Sequence, residues 1–131
     1  MANKGGTEIT QPSYFRLAKN VSGTAIAKNL VVKPGTNAGE VVLPAAVTDV
    51  PCGVTYEDLP DQGWRSIQDG GKALIKASAA IAVHALVQAG TDGRVATAVT
   101  SSAIVGRAMN AAAAANDLVE VELWKGRFIA P

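Results

Sequence analysis

Leu118-Val119-Glu120-Val121-Glu122-Leu123-Trp124 decides the class of fold. Val119, Val121 and Leu123 alternate with Glu120 and Glu122, and Lys125 follows, so one face is apolar and the other charged. Side chains two apart share a face only in a β-strand, and a helix would scatter these carboxylates over its surface.

Working back along the chain, the same kind of short run recurs between turn residues. Lys72 to Ala77 and Trp64 to Gln68 both alternate, with Asp69-Gly70-Gly71 between them as a hairpin turn. Asp92-Gly93 marks a second hairpin, between Ala85–Gln88 and Arg94–Thr97. Ala25–Ala27, Leu30–Val32, Val41–Leu43, Cys52–Tyr56 and Ser102–Met109 are further β-type runs, bounded by Pro34-Gly35, Pro44 and Pro51. Two Ala-rich stretches compete for helix, since Ala is the best helix former. Ser78 to Val87 divides into a turn and a strand, and Asn110 to Asn116 is too short for a stable helix and reads as a loop or a single turn. Many short strands with Gly, Pro and Asp-Gly turns give an all-β fold, a small β-barrel or β-sandwich with little helix.

A faint internal echo runs through this pattern. Val50–Val54 and Ile104–Ala108 each precede a small-residue excursion and then a strand, Trp64–Ile67 in one case and Leu118–Leu123 in the other. It reads as the wiring of small barrels rather than as a duplication.

Residues 1–22 differ in composition, being rich in Gly, Ser, Thr, Asn and charge. We read them as an extended N-terminal arm, poorly ordered alone, in front of a β-rich body over residues 23–131. Pro12 favours extended backbone before it. Tyr14, Phe15, Arg16 and Leu17 form the arm's apolar centre. Such a segment either folds on a partner or packs on this protein's own core.

Composition narrows the function. The 131 residues suit one domain, which buries roughly two-thirds of its unfolded surface. Hydrophobic residues make up 48% but aromatics only 5%, so Ala and Val must fill a thin core whose stability leans on partner chains. Twelve basic residues oppose eleven acidic ones, with no basic stripe for nucleic acid. No stretch approaches the ~18 apolar residues of a membrane span, and the N-terminus has no secretory h-region. The expected setting at synthesis is the cytoplasm.

The chemistry-bearing residues are few. His84 is the only histidine and sits among Val83, Ala85 and Leu86, which favours a structural or strand-edge place over a catalytic one. Cys52 is the only cysteine, so no intrachain disulfide forms, and its apolar run reads as a buried inert thiol. Glu57, Asp58 and Asp61 offer oxygen ligands to a cation but lack EF-hand spacing. Glu120 and Glu122 read as a solvated or interface face. Lys4-Gly5-Gly6-Thr7 lacks the strand and helix that a phosphate loop needs. We therefore expect no enzyme, no cofactor and no metal. Trp64 and Trp124 each start or end a strand and are either core anchors or a subunit interface.

From about Val21 to Trp124 the order of elements resembles the capsid decoration (head cement) proteins of tailed bacteriophages. The resemblance rests on a Gly-Val strand at Cys52-Gly53-Val54 and a polar hairpin over Ile67 to Ala77. It continues through the turn Val87-Gln88-Ala89-Gly90-Thr91-Asp92-Gly93-Arg94-Val95 and the strand Val105-Gly106-Arg107-Ala108. It closes on Val119-Glu120-Val121-Glu122-Leu123.

The resemblance implies a β-tulip or small-barrel body that sits on the outer surface of the expanded head. It implies a homotrimer at three-fold sites, with the phage major capsid protein as partner and the virion as location. Arms of such proteins order on binding, which is the role expected for Pro12, Tyr14, Phe15, Arg16 and Leu17. The aromatic centre itself is not a family motif. Rivals are another virion component, such as a head-fibre base or tail protein, a small-barrel enzyme or carrier, and a nucleic-acid-binding barrel.

Overall fold

The computed structural model describes residues 14–124 and 129–131. Ten strands follow one another, with no helix among the described residues, so the all-β expectation holds. The first five are β1 (Phe15–Asn20), β2 (Val31–Pro34), β3 (Glu40–Val42), β4 (Gly53–Thr55) and β5 (Trp64–Gln68). They close into a barrel in the order β1-β3-β2-β4-β5, with β5 pairing back to β1. The second five are β6 (Lys72–Lys76), β7 (Leu86–Ala89), β8 (Val95–Thr97), β9 (Gly106–Ala108) and β10 (Leu118–Leu123). They form a sheet in the order β6-β10-β9-β7-β8, whose two edges meet at a parallel bridge between Ala77 and Val95.

Strand for strand, the two halves are wired alike. β1 runs parallel to β3, as Ala77 at the end of β6 does to β8. The antiparallel pairs β2–β3, β2–β4, β4–β5 and β1–β5 recur as β7–β8, β7–β9, β9–β10 and β6–β10. One pair of isolated bridges matches as well. Ile26 and Leu59 exchange backbone hydrogen bonds of 2.9 and 2.7 Å, and Ile81 and Ala112 exchange two of 2.9 Å. Left-handed backbone falls at matching places too: Gly39 and Gly93 (φ 81° and 83°), Gln62 and Asn116 (φ 62° and 71°). The echo legible in the sequence is thus the visible part of a structural repeat that takes in all ten strands.

Its two glycines have one physical reason. A Cβ on Gly53 would lie 2.8 Å from the Gln68 carbonyl oxygen across β4–β5. A Cβ on Gly106 would collide with the Glu122 carbonyl oxygen across β9–β10. Only a residue without a side chain lets each strand pair approach so closely.

The core is divided accordingly. Ala18, Ile26, Val32, Val41, Leu59 and Ile67 fill the first barrel. The second half packs Ile75, Ile81, Val87, Val95, Val119 and Val121, joined by Val31 and Val54 from the outer face of β2 and β4. The halves are also tied by backbone hydrogen bonds, from Val31 to Gly93 at 2.8 Å and from Lys76 to Asn29 at 2.9 Å.

Several expectations change here. Residues 15–20, read as part of the arm, are β1, a stave of the first barrel paired with β5 and β3. The Asp69–Gly71 turn is no hairpin. β5 already has β1 and β4 on its two edges and β6 pairs with β10, so this turn links the two halves. Of Ser102–Met109 only Gly106–Ala108 is a ladder strand. Ser102 to Val105 is buried, with one bridge from Ala103 to Ile129. The Asp92-Gly93 turn does join an antiparallel pair, β7 and β8, and Asn110–Asn116 is a loop.

Candidate functional site

β1 reads apolar outward and polar inward. Ala18 and Asn20 are fully buried, while Phe15 is 46% and Leu17 62% exposed. Closing the barrel fixes this choice, because β1 must present alternate residues to a small interior that Ala and a bonded Asn can fill. Asn20 Nδ2 donates to the carbonyls of Thr24 (2.7 Å) and Leu59 (3.0 Å), and its Oδ1 accepts from the Ser22 amide, so the buried amide is satisfied.

Outward, the Phe15 ring meets Tyr56 edge-on, centroids 5.0 Å apart at 76°. Trp64, at the start of β5 opposite Lys19, is half exposed beside Gly39. The same outward places in the second half carry Leu74 for Leu17, Leu118 for Trp64 and Lys76 for Lys19. Leu74 and Leu118 are also about half exposed. Between the ribbons β4–β5 and β6–β10 lies an open cleft of about 560 Å³. Tyr56, Leu74 and Leu118 give its apolar lining, and Lys28 and Lys72 its charge. Phe15, Tyr56 and this cleft together make a continuous exposed apolar surface, of the kind that marks interaction sites rather than scattered surface leucines.

The residues singled out in the sequence are placed as follows. Tyr14 is exposed just ahead of β1, and its carbonyl accepts the Asp69 amide. Arg16 Nε stands 3.7 Å from Asp69 Oδ2, and Phe15 and Leu17 join the apolar surface. Pro12 lies outside the described residues. Trp64 and Trp124 come to opposite ends of equivalent strands, and neither is a core anchor. Trp124 is half-buried under the Arg107 guanidinium, 5.7 Å from its ring centre, beside a hollow lined by Cys52, Asp69 and Val105. Tyr56, Leu74 and Leu118 were not singled out from the sequence. Their exposure follows from pairing, which no local pattern reveals.

The polar groups are spent on structure. Burial pushes the Cys52 thiol pKa up, against the pull of nearby Arg16, which leaves the thiol protonated and slow to react. Glu57, Asp58 and Asp61 accept from three separate backbone amides, those of Ser66, Lys28 and Gly23. Among the described residues no three His, Cys, Asp or Glu gather around one ion position. His84 is exposed, with left-handed backbone at φ 68°, and its carbonyl accepts from Arg107.

No protein family and no curated protein matches the chain in sequence. Among solved structures, it is similar to the N-terminal base of the head fibre gp8.5 of bacteriophage phi29. The TM-score is 0.69 at 17% identity, over 87% of this chain and 96% of that one. The two share a fold.

Proposed function

We propose that this protein is a structural component of a tailed-phage head that works by association rather than turnover. In this reading it docks on the outer surface of the major capsid protein, as a homotrimer at three-fold sites, and stabilises the expanded shell. One observation carries it: the fold matches a phage head-fibre base over nearly all of both chains. The exposed apolar surface around Phe15 and Tyr56 supports it, since a contiguous patch on a small barrel wants a partner. Phe15 and Leu17 serve as rigid anchors on a barrel strand rather than on a free arm. Three copies bound as one unit convert weak single contacts into a firm clamp.

A second reading, a head-fibre base, is favoured by the description of the similar structure itself. It shares the docking step and differs in what the bound protein carries. Cryo-electron microscopy of stripped, expanded heads with the purified protein added back tests both. Compact density at three-fold sites, with heads that survive more heat, is the expected result. Density continuing outward into a fibre on native heads would favour the second reading. No binding to heads would overturn both.

A further inference from the structure

We infer that the second half of this protein opens as a unit while the first half stays closed, with Asn29–Val31 as the seam between them. The order runs one way, because residues of the first half complete the second and not the reverse.

The two barrels are closed differently. In the first half the Lys19 amide donates to the Gly39 carbonyl at 2.9 Å, and β1 pairs directly with β3. Lys76 and Gly93 hold the matching places in the second half, yet each bonds the first half instead. The Lys76 amide donates to the Asn29 carbonyl at 2.9 Å, and the Gly93 carbonyl accepts from the Val31 amide at 2.8 Å. Asn29–Val31 thus stands in the seam between β6 and β8, beside the Ala77–Val95 bridge. The cores are unequal in the same sense. Val31 and Val54 of the first half belong to the second core. Among the described residues the first core, from Ala18 to Ile67, takes no side chain from the second half. The second half meets the first at its surface, as where the Ala103 amide donates to the Val47 carbonyl at 2.9 Å. Opening the first half alone would leave voids at Val31 and Val54 in the second core and a bare amide and carbonyl in its seam. Opening the second half alone leaves the first barrel and its core in place, and water satisfies the Asn29 and Val31 groups that it uncovers. The exposed Phe15, Leu17 and Tyr56 all lie on the half that stays closed.

Native-state hydrogen exchange of the full chain, read in rising urea below the global transition, tests this. In wild type the amides of Ile81, Ala112 and Lys76 should exchange through a smaller opening than those of Ile26, Leu59 and Lys19, with a weaker urea dependence. The Val31 amide, carried by the first half but bonded across the seam, should follow the second-half group. Val121→Ala and Ile67→Val then alter matching core positions, both fully buried. The second half is open in the partly and in the wholly unfolded state, so Val121→Ala should speed exchange in both halves by about tenfold or more. Ile67→Val should speed the first-half amides severalfold and leave the second-half ones within about twofold. One common rate and urea dependence for all these amides in wild type would overturn the inference, whether or not either variant folds. Variants that each speed only their own half would mean independent halves and sink it as well. An Ile67→Val that speeds both halves, beside a Val121→Ala that speeds only the second, would reverse the order and equally end it.

Discussion

Asn29 and His84 hold the same place in the two halves of this protein. Each takes left-handed backbone, φ 67° and 68°, just before β2 and β7. Each donates its amide to the last residue of the neighbouring strand, Thr55 and Ala108, at 2.8 Å. The lone histidine is therefore explained by backbone geometry, since Asn and His are among the non-glycine residues that tolerate this region.

Replacing His84 should follow that geometry and not imidazole chemistry. His84→Asn and His84→Gly should leave stability within about 0.5 kcal/mol, whereas His84→Val should cost about 1–2 kcal/mol through its branched Cβ. Urea unfolding of the three variants checks the order.

Gly106 and Gly53, which hold matching places in the two halves, should resist replacement to different degrees. Gly106→Ala drives a methyl into the Glu122 carbonyl, where only backbone movement can relieve it. It should cost about 3 kcal/mol or more, or prevent folding. Gly53→Ala, with its 2.8 Å approach to the Gln68 carbonyl, should cost less, about 1–3 kcal/mol. Soluble yield and denaturant midpoints measure the difference.

Asn20 is the buried polar hub of the first barrel, and Ala77 holds the matching place in the second half. Asn20→Ala would remove one of the two donors to each of the Thr24 and Leu59 carbonyls, which keep the Ser22 hydroxyl and the Ile26 amide, and should cost about 1–2 kcal/mol. Hydrogen exchange should show the loss as faster opening at Leu59 and Ile26 than at Ala112 and Ile81.

Asp49 ties the loop before β4 to β2. The Lys33 ammonium, 2.9 Å from Oδ2, and the amides of Ala45 and Ala46 hold its pKa below the ordinary 3.8. A depressed folded pKa means that the carboxylate stabilises the fold above the unfolded value and that this is lost as pH falls through the folded one. Asp49→Asn should therefore be less stable than wild type at neutral pH, with the gap closing as the pH falls below the ordinary 3.8 and through the depressed folded value. Denaturant midpoints at pH 7 and pH 2.5 give the comparison.

What was legible in the sequence is what local chemistry dictates. β5, β6 and β10 alternate, and Asp92-Gly93 demands a tight turn between two runs, so these elements sit where the pattern put them. The apolar surface was legible only in fragments. Phe15, Leu17 and Trp64 stood out because large apolar residues are scarce, but Tyr56, Leu74 and Leu118 carried no signal of their own.

Tertiary structure alone decided which face of β1 turns inward and which strands pair. The sequence 15–20 places its larger apolar residues on one face and Arg16, Ala18 and Asn20 on the other. Local reasoning would bury Phe15 and Leu17. The closed barrel buries Ala18 and Asn20 instead, because its small interior holds them and meets every hydrogen bond of the asparagine. Likewise Asp69-Gly70-Gly71 has hairpin chemistry, yet both edges of β5 are taken by β1 and β4, and the turn joins two halves instead. By itself the amino-acid sequence determined that this chain is a set of short strands. Their closure into a barrel and its wired repeat was settled by long-range pairing, where steric room at Gly53 and Gly106 and the supply of free strand edges outweigh local pattern.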